Sequence, residues 1–452
     1  MYVLEKAQII NFFLDGFKIA VVSLLIQCVF FTRFDFIMFL IKRSKAMKKF
    51  FKVFFLCLLI AGVIFSVSCA KKETARAASA EKLILWVYDS GRIEVLTQLG
   101  RQFEAEFGVA VEVSMVDLSQ IRTQFLLAAG GAECADLAII PHDNIGPLVE
   151  NGVIMEINLG AKRSSYLQPA LDGFNYNGKL FGVPLAVENV GFFYNKDLVP
   201  NPPATWDEAV AITERLKTAG RADYMMGLPD ATYNVYAVYD SFGGAIFGKN
   251  SDGSLNGRDV LLAEPGFVAG MQFLTNMVNR GLIPQTIDWD GAHVLFESGR
   301  APFCPTGPWA INRIVESGVN YGIASFPASR AGGPAGNPFL GVQGIIVNNM
   351  SPRRLLAQSF AADFIAREES MMAIFRAEQR PSAWKSIFET AGDANTLAFN
   401  AAGVAAIPMP SIPQMGYVWD AWVAAADLSF SGERTPLDAL RNAKSQIEVL
   451  SN

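Results

Sequence analysis

Between Leu83 and Ile140 short apolar runs alternate with stretches of helical periodicity, and few folds accept that rhythm. Leu83-Ile84-Leu85-Trp86-Val87 is continuously apolar, as expected of a strand buried on both faces. Asp89-Ser90-Gly91 breaks it. Ile93, Leu96, Leu99, Phe103 and Phe107 then recur at helical spacing, and Gly108 predicts the helix stop. Val109–Val113 reads as a second strand, Leu118–Ala129 as a second helix ending in Gly130-Gly131, and Ala135–Ile140 as a third strand. This β-α-β-α-β succession implies an α/β fold with a parallel sheet covered by helices on both faces. Ligands of such sheets gather at the carboxyl ends of the strands, which points to the loops Tyr88–Gly91 and Pro141–Ile145.

Further along, Gly178–Pro184 reads as a hairpin-like entry to an apolar strand, Leu185–Leu198, in which Glu188 is a charged residue that needs a reason. Thr205 is placed to cap a helix running through Lys217. A Gly/Pro-rich stretch at Ala331–Gly336 precedes another strand, Gly341–Val347. The C-terminal third reads mostly helical, and no internal repeat is visible.

The mean hydropathy of +0.26 is high for a soluble chain of 452 residues. The excess sits before Cys69. Met47-Lys48-Lys49-Phe50 opens a positive segment and Val53–Val67 follows as an apolar run, the length of a signal-peptide core rather than of a spanning helix. Residues 70–80 then read as a flexible linker. Residues 1–46, with an apolar stretch at Ile19–Phe31 and a basic cluster at Lys42, Arg43 and Lys45, read as an extension from a start codon assigned too early; a second membrane segment is the alternative. Without residues 1–68 the net charge moves from −5 to −11, which argues against nucleic-acid binding. The remainder exceeds what one core usually supports, so two domains are expected. Two histidines, His142 and His293, leave almost no material for a histidine triad or metal cluster, and no cofactor or metal is expected. Cys134, before a buried-looking strand, and Cys304, in an apolar turn, read as two buried free thiols, although an oxidising compartment would permit a disulfide between them.

Several motifs appear in a fixed order. They are the Leu83–Trp86 strand with its helix, Ala186-Val187-Glu188, Tyr194–Leu198 with Pro202–Trp206, Asp240–Gly244, Gly307-Pro308-Trp309-Ala310, and Ile412–Met415 with Trp419. Together they resemble the extracellular solute-binding proteins that feed carbohydrate ABC importers, of the maltose-binding type. The resemblance runs along nearly the whole chain after Cys69. It implies two α/β lobes joined by crossing strands, with a sugar held between them and the permease subunits of an importer as partners. The lobes would comprise residues 81–186 with 341–395 and residues 190–340 with 396–452, hinged at 187–189. Ser66-Val67-Ser68-Cys69 resembles a bacterial lipobox, with Ser66 where Leu is usual. It implies a diacylated Cys69 that anchors the protein on the outer face of the cytoplasmic membrane, with ordinary signal cleavage or an uncleaved anchor as the alternatives; the protein is expected to be a monomer.

Sugars bind through aromatic faces against C–H surfaces and planar polar groups against hydroxyls. Carried over by resemblance, Trp309 and Trp419 are aromatic platforms and Tyr233 is a cleft tyrosine, with Tyr236 the alternative if gaps shift the match; packing in the core is the alternative for each tryptophan. Glu188 either accepts ligand hydroxyls or forms a salt bridge at the hinge. Asp143 either takes two hydroxyls or caps a helix with Asn144 beside it, and Asp89 is a further candidate. Pro141, Asn144, Ser90 and Ala231 stand where maltose binders have Trp, Arg, Lys and Glu, so maltose itself is not the expected ligand. A glycosidase, using Glu188 with Asp143 or Asp89, and a sensor or adhesin on the same scaffold are the rival functions. Gly243–Lys249 has the spacing of a phosphate loop, but Asn250 replaces its Ser/Thr, so it reads as an ordinary loop.

Overall fold

The computed structural model describes residues 82–451 apart from 132 and 133. The leader, the linker and Cys69 lie outside the described residues. The first unit is β1 (Lys82–Val87), α1 (Ile93–Phe107), β2 (Ala110–Met115), α2 (Leu118–Ala128) and β3 (Leu137–Pro141). β1 pairs in parallel with β2 on one side and β3 on the other. Helix α1 turns Val95, Leu96, Leu99 and Phe103 inward and stops at Gly108. There the backbone takes φ 73°, which glycine adopts without a Cβ clash, and the Gly108 N–H donates to the Glu104 carbonyl at 2.8 Å.

The chain continues through β4 (Val183–Asn189) and β5 (Gly191–Asn195), separated only by Val190. It then forms α3 (Trp206–Thr218), α4 (Pro265–Asn279), β6 (Phe303–Thr306), β7 (Tyr321–Ala324), β8 (Phe339–Val347), α5 (Glu368–Glu378), β9 (Ile407–Pro408), α6 (Met415–Phe430) and α7 (Pro436–Leu450). Thr205 caps α3 as its spacing predicts, its hydroxyl accepting from the Glu208 N–H at 3.2 Å. The hairpin lies one step upstream of the expected one. It turns through Asn177-Gly178, both at positive φ, between Asn175–Tyr176 and Lys179–Leu180.

The first sheet runs β9-β8-β3-β1-β2, with β4 also on β8. The expected parallel sheet is therefore only its β2-β1-β3 part. β8 returns from a long excursion and enters antiparallel, with Gly344 opposite Ile140 of β3 and Gly341 opposite Glu188 of β4. The second sheet is β6-β5-β7, antiparallel throughout. One hydrophobic core gathers Leu85, Ile139, Phe174, Ile345 and Phe360 around the first sheet. Another gathers Trp206, Tyr239, Phe267 and Trp422 among α3, α4, α6 and α7. The chain passes between them at Val187–Val190, at Phe339–Val342, and between Ile387 and Met409, and a smaller third cluster holds Phe193, Phe296, Cys304 and Phe399. This is a two-lobed α/β fold with crossing strands. Cys304 lies within β6 rather than in a turn, because it pairs with Phe193 of β5 and its neighbours Phe303 and Pro305 pair with Tyr194 and Phe192. Cys134 and Cys304 are free, buried and in different cores.

Candidate functional site

The carboxyl ends of β1 and β3 and the crossing strands β4 and β8 meet at one place, and the sequence candidates cluster there. Tyr88, just past β1, donates through its hydroxyl to Gln343 Oε1 of β8 at 2.5 Å. Gln343 Nε2 donates to Glu188 Oε1 at 2.8 Å. Arg380 Nη1 donates to Glu188 Oε2 at 2.6 Å, and its Nη2 donates to Asp89 Oδ2. The other Asp89 oxygen accepts from the Gly91 N–H at 3.0 Å. Behind these, Arg380 Nε lies 3.3 Å from Glu378, which also pairs with the fully buried Arg92.

Burial alone would raise the Asp89 carboxyl; Arg380 and then Arg92 outweigh it and hold it below its ordinary value. Burial raises Glu378 against the pull of both arginines. It also raises Tyr88, which stays protonated and able to donate. Burial would lower Arg380, but Glu188 and Glu378 outweigh it, so the guanidinium keeps its charge. The charged residue inside the apolar strand thus has its reason in Gln343 and Arg380. Of the two roles expected for Glu188, the structure shows a salt bridge, to Arg380.

Asp143 does not cap the helix that follows it, which begins without a side-chain cap. Its carboxylate turns to the other lobe, where Trp419 Nε1 donates to Oδ2 at 2.9 Å. Asn144 Nδ2 donates to Oδ1 at 3.1 Å and to the Pro141 carbonyl at 3.2 Å. Burial pushes the Asp143 carboxyl up to about 6 despite the Trp419 hydrogen bond.

Tyr233 opens a short 3-10 helix whose loop is fixed by Asp230, which accepts from the N–H groups of Thr232 and Asn234. Its ring lies 6.1 Å from Trp309 and 6.2 Å from Phe339, centroid to centroid. Its hydroxyl occupies space left by Gly341, where a Cβ would come within 3.0 Å of it. Trp309 projects from the tight turn after β6, with the Arg380 guanidinium carbon 5.7 Å from its centroid. Trp419 stacks parallel on the buried Trp422 and meets Phe339 edge to face. Tyr233, Trp309 and Trp419 are each half-buried.

A family model described as "Bacterial extracellular solute-binding protein" matches residues 98–400. The chain belongs to that family. A galactooligosaccharide-binding protein of Bacillus subtilis is 28% identical over 417 residues, covering 88% of this chain and 97% of its own length. A maltooligosaccharide ABC transporter solute-binding lipoprotein of Streptococcus pneumoniae is 26% identical, covering 78% of this chain and 86% of its own. A maltotriose-binding protein of Pyrococcus abyssi is 24% identical, covering 82% of each.

In this solute-binding protein the candidates form two linked sets. Asp89 and Glu188 join Trp309 and Tyr233 through Arg380, while Asp143 and Asn144 join Trp419. Phe339 touches Tyr233 and Trp419 and connects the sets. Reading the sequence flagged the loop that holds Tyr88 but not Tyr88 itself, and missed Gln343, Phe339 and Arg380. Gln343 interrupts an apolar strand just as Glu188 does and was findable by the same rule. Arg380 follows α5 directly before Pro381 and carries no periodic signal.

Both histidines of the solute-binding protein are occupied. His142 Nδ1 accepts from the Val342 N–H at 3.0 Å and Nε2 donates to the Met409 carbonyl at 2.9 Å. Burial lowers it to about 4, so it is neutral at pH 7. His293 bonds Trp289 and Thr306. Among the described residues no group of His, Cys, Asp and Glu is arranged to hold a metal, and no helix is long and apolar enough to cross a membrane.

Proposed function

We propose that this solute-binding protein captures a sugar or oligosaccharide between its lobes and delivers it unaltered to the permease subunits of an ABC importer. In this reading residues 81–186 with 341–395 form one lobe and 190–340 with 396–452 the other, hinged at 187–189. Trp309, Trp419 and Tyr233 cover C–H faces of the sugar, while Asp89, Asp143, Asn144 and Glu188 take hydroxyls. The observation that carries it is the pairing of three half-buried aromatic rings from one lobe with hydrogen-bonded carboxylates of the other. The three relatives, all named as oligosaccharide binders, support the ligand class. A thermal-shift screen of residues 70–452 against mono- and oligosaccharides and polyols tests it. A ligand at 100 times its dissociation constant should stabilise the protein by about 2.7 kcal/mol. A screen without any sugar hit refutes it. Release of new reducing ends from an oligosaccharide would refute delivery without chemistry.

Cys69 is, in the same proposal, the diacylated N-terminus of a monomer held on the outer face of the cytoplasmic membrane. The lipobox-like Ser66–Cys69 and the lipoprotein among the relatives support this. Mass spectrometry of the membrane fraction tests it, and a Cys69→Ala protein that still partitions fully into membrane would refute it.

A further inference from the structure

Tyr88, Gln343, Glu188, Arg380 and Asp89 form a closed ring of hydrogen bonds, completed by the peptide bond between Tyr88 and Asp89. The ring has a fixed polarity. Arg380 can only donate, so the Glu188 and Asp89 oxygens it meets must accept. Gln343 spends an amide N–H on Glu188, which turns its carbonyl oxygen toward Tyr88. The Tyr88 proton is then committed to Gln343, and its phenol oxygen is left with lone pairs only. Tyr88 and Asp89 are half-buried, whereas Arg380, Glu188 and Gln343 are buried behind them. The face of Tyr88 is covered by Arg92, 5.6 Å from its centroid, which holds the ring in place.

We infer that Arg380 is a positioning residue that locks this wall of the cleft into an array of acceptors, and that Tyr88 is a further ligand-facing residue whose phenol oxygen reads a donor hydroxyl. The inference rests on the proposal that the cleft is a sugar site. The planar guanidinium fork reaches Glu188 and Asp89 from two nitrogens at once and so fixes the angle between their carboxylates. Its third nitrogen faces Glu378. Without it three carboxylates face one another, and one that takes up a proton turns from acceptor to donor. A lysine keeps the charge but places its donors at one point and cannot hold both carboxylates in that geometry.

The test is calorimetric titration of the wild type, Arg380→Lys and Tyr88→Phe with maltotriose and with a galactooligosaccharide, beside melting curves and crystal structures of the unliganded variants. Arg380→Lys should bind at least tenfold more weakly than wild type while melting within a few degrees of it. Tyr88→Phe should lose about five- to tenfold in affinity while melting only slightly lower, since the Gln343 carbonyl loses its donor. Wild-type affinity in Arg380→Lys would overturn the inference, because charge balance alone would then suffice. If Arg380→Lys does not fold, Tyr88→Phe decides, and its unchanged affinity overturns it. If the wild type binds neither sugar, the proposed ligand class fails, and the unliganded structures judge Arg380. Carboxylates of Glu188 and Asp89 swung apart in Arg380→Lys support its role; carboxylates left in place overturn it.

Discussion

Replacing Asp143 by Asn should stabilise the unliganded protein at pH 7. The Asp143 carboxyl is 6% exposed and titrates near 6, against an ordinary value of 3.8. A folded-state value raised above the unfolded one means that stability is present below pH 3.8 and lost as pH rises through 6. At pH 7 the folded protein therefore carries the cost of a buried charge, about 3 kcal/mol for a shift of about two units. Asparagine keeps an oxygen for Trp419 Nε1 and carries no charge, so a gain of about 1–3 kcal/mol is expected. Its neighbour His142 works in the opposite sense. Depressed to about 4 from 6.5, it contributes stability above pH 6.5 that is lost as pH falls through 4. The two nearly cancel in the wild type between pH 6.5 and 4. Asp143→Asn leaves the His142 loss uncompensated, so the gain should shrink with falling pH and vanish near 4. Urea unfolding followed by far-UV circular dichroism at pH 7, 5.5 and 4.5 reads this directly. A variant less stable than wild type at pH 7 would show that the hydrogen bonds from Trp419 and Asn144 and the nearby charge of Arg122, which all lower the carboxyl, outweigh the burial; a gain independent of pH would show that the Asp143 charge is not its source.

Trp309→Ala and Trp419→Ala should each cost about 1–3 kcal/mol of sugar binding, or roughly ten- to a hundredfold, with smaller changes in unliganded melting because both rings are half-buried; calorimetry beside melting curves separates a platform from a core residue. Glu188→Ala should behave differently and lower stability by about 3–5 kcal/mol, since it strands a buried guanidinium; an unchanged melting temperature would show that Glu378 and Asp89 suffice for Arg380. Burial raises both thiols, Cys134 to about 11 and Cys304 well above its ordinary range, so neither should react with a thiol reagent at pH 8 until the protein is unfolded.

The β-α-β-α-β start was legible because fully buried strands and amphipathic helices carry different periods, and α1 with its Gly108 stop follows that pattern. The reversed direction of β8 was not legible. An all-apolar strand reads the same in either orientation, and its register depends on partners nearly two hundred residues away. The same distance hid Arg380. Glu188 announced that a partner was needed, but local sequence holds no information about which arginine supplies it. For Asp143 and Glu188 the choice between roles turned on contacts distant in sequence, Trp419 for one and Arg380 for the other, and those exist only once the chain has folded back on itself.

β8 lies between β3 and β4, so the first lobe has a gap in the middle of its sheet until residues 339–347 arrive. Ribosomes add about 5–20 residues per second. The 198 positions from Pro141 to Phe339 therefore separate the two sides of the gap by roughly 10–40 seconds. During that interval Glu188 has no Arg380 and Ile139 has no Ile345. A nascent chain in this state cannot complete either the central strand pairing or the Glu188–Arg380 ion pair. Late closure thus orders assembly: the first lobe can lock only after most of the second has been made, and the chain stays pliable until residues 339–347 are available to fill the gap.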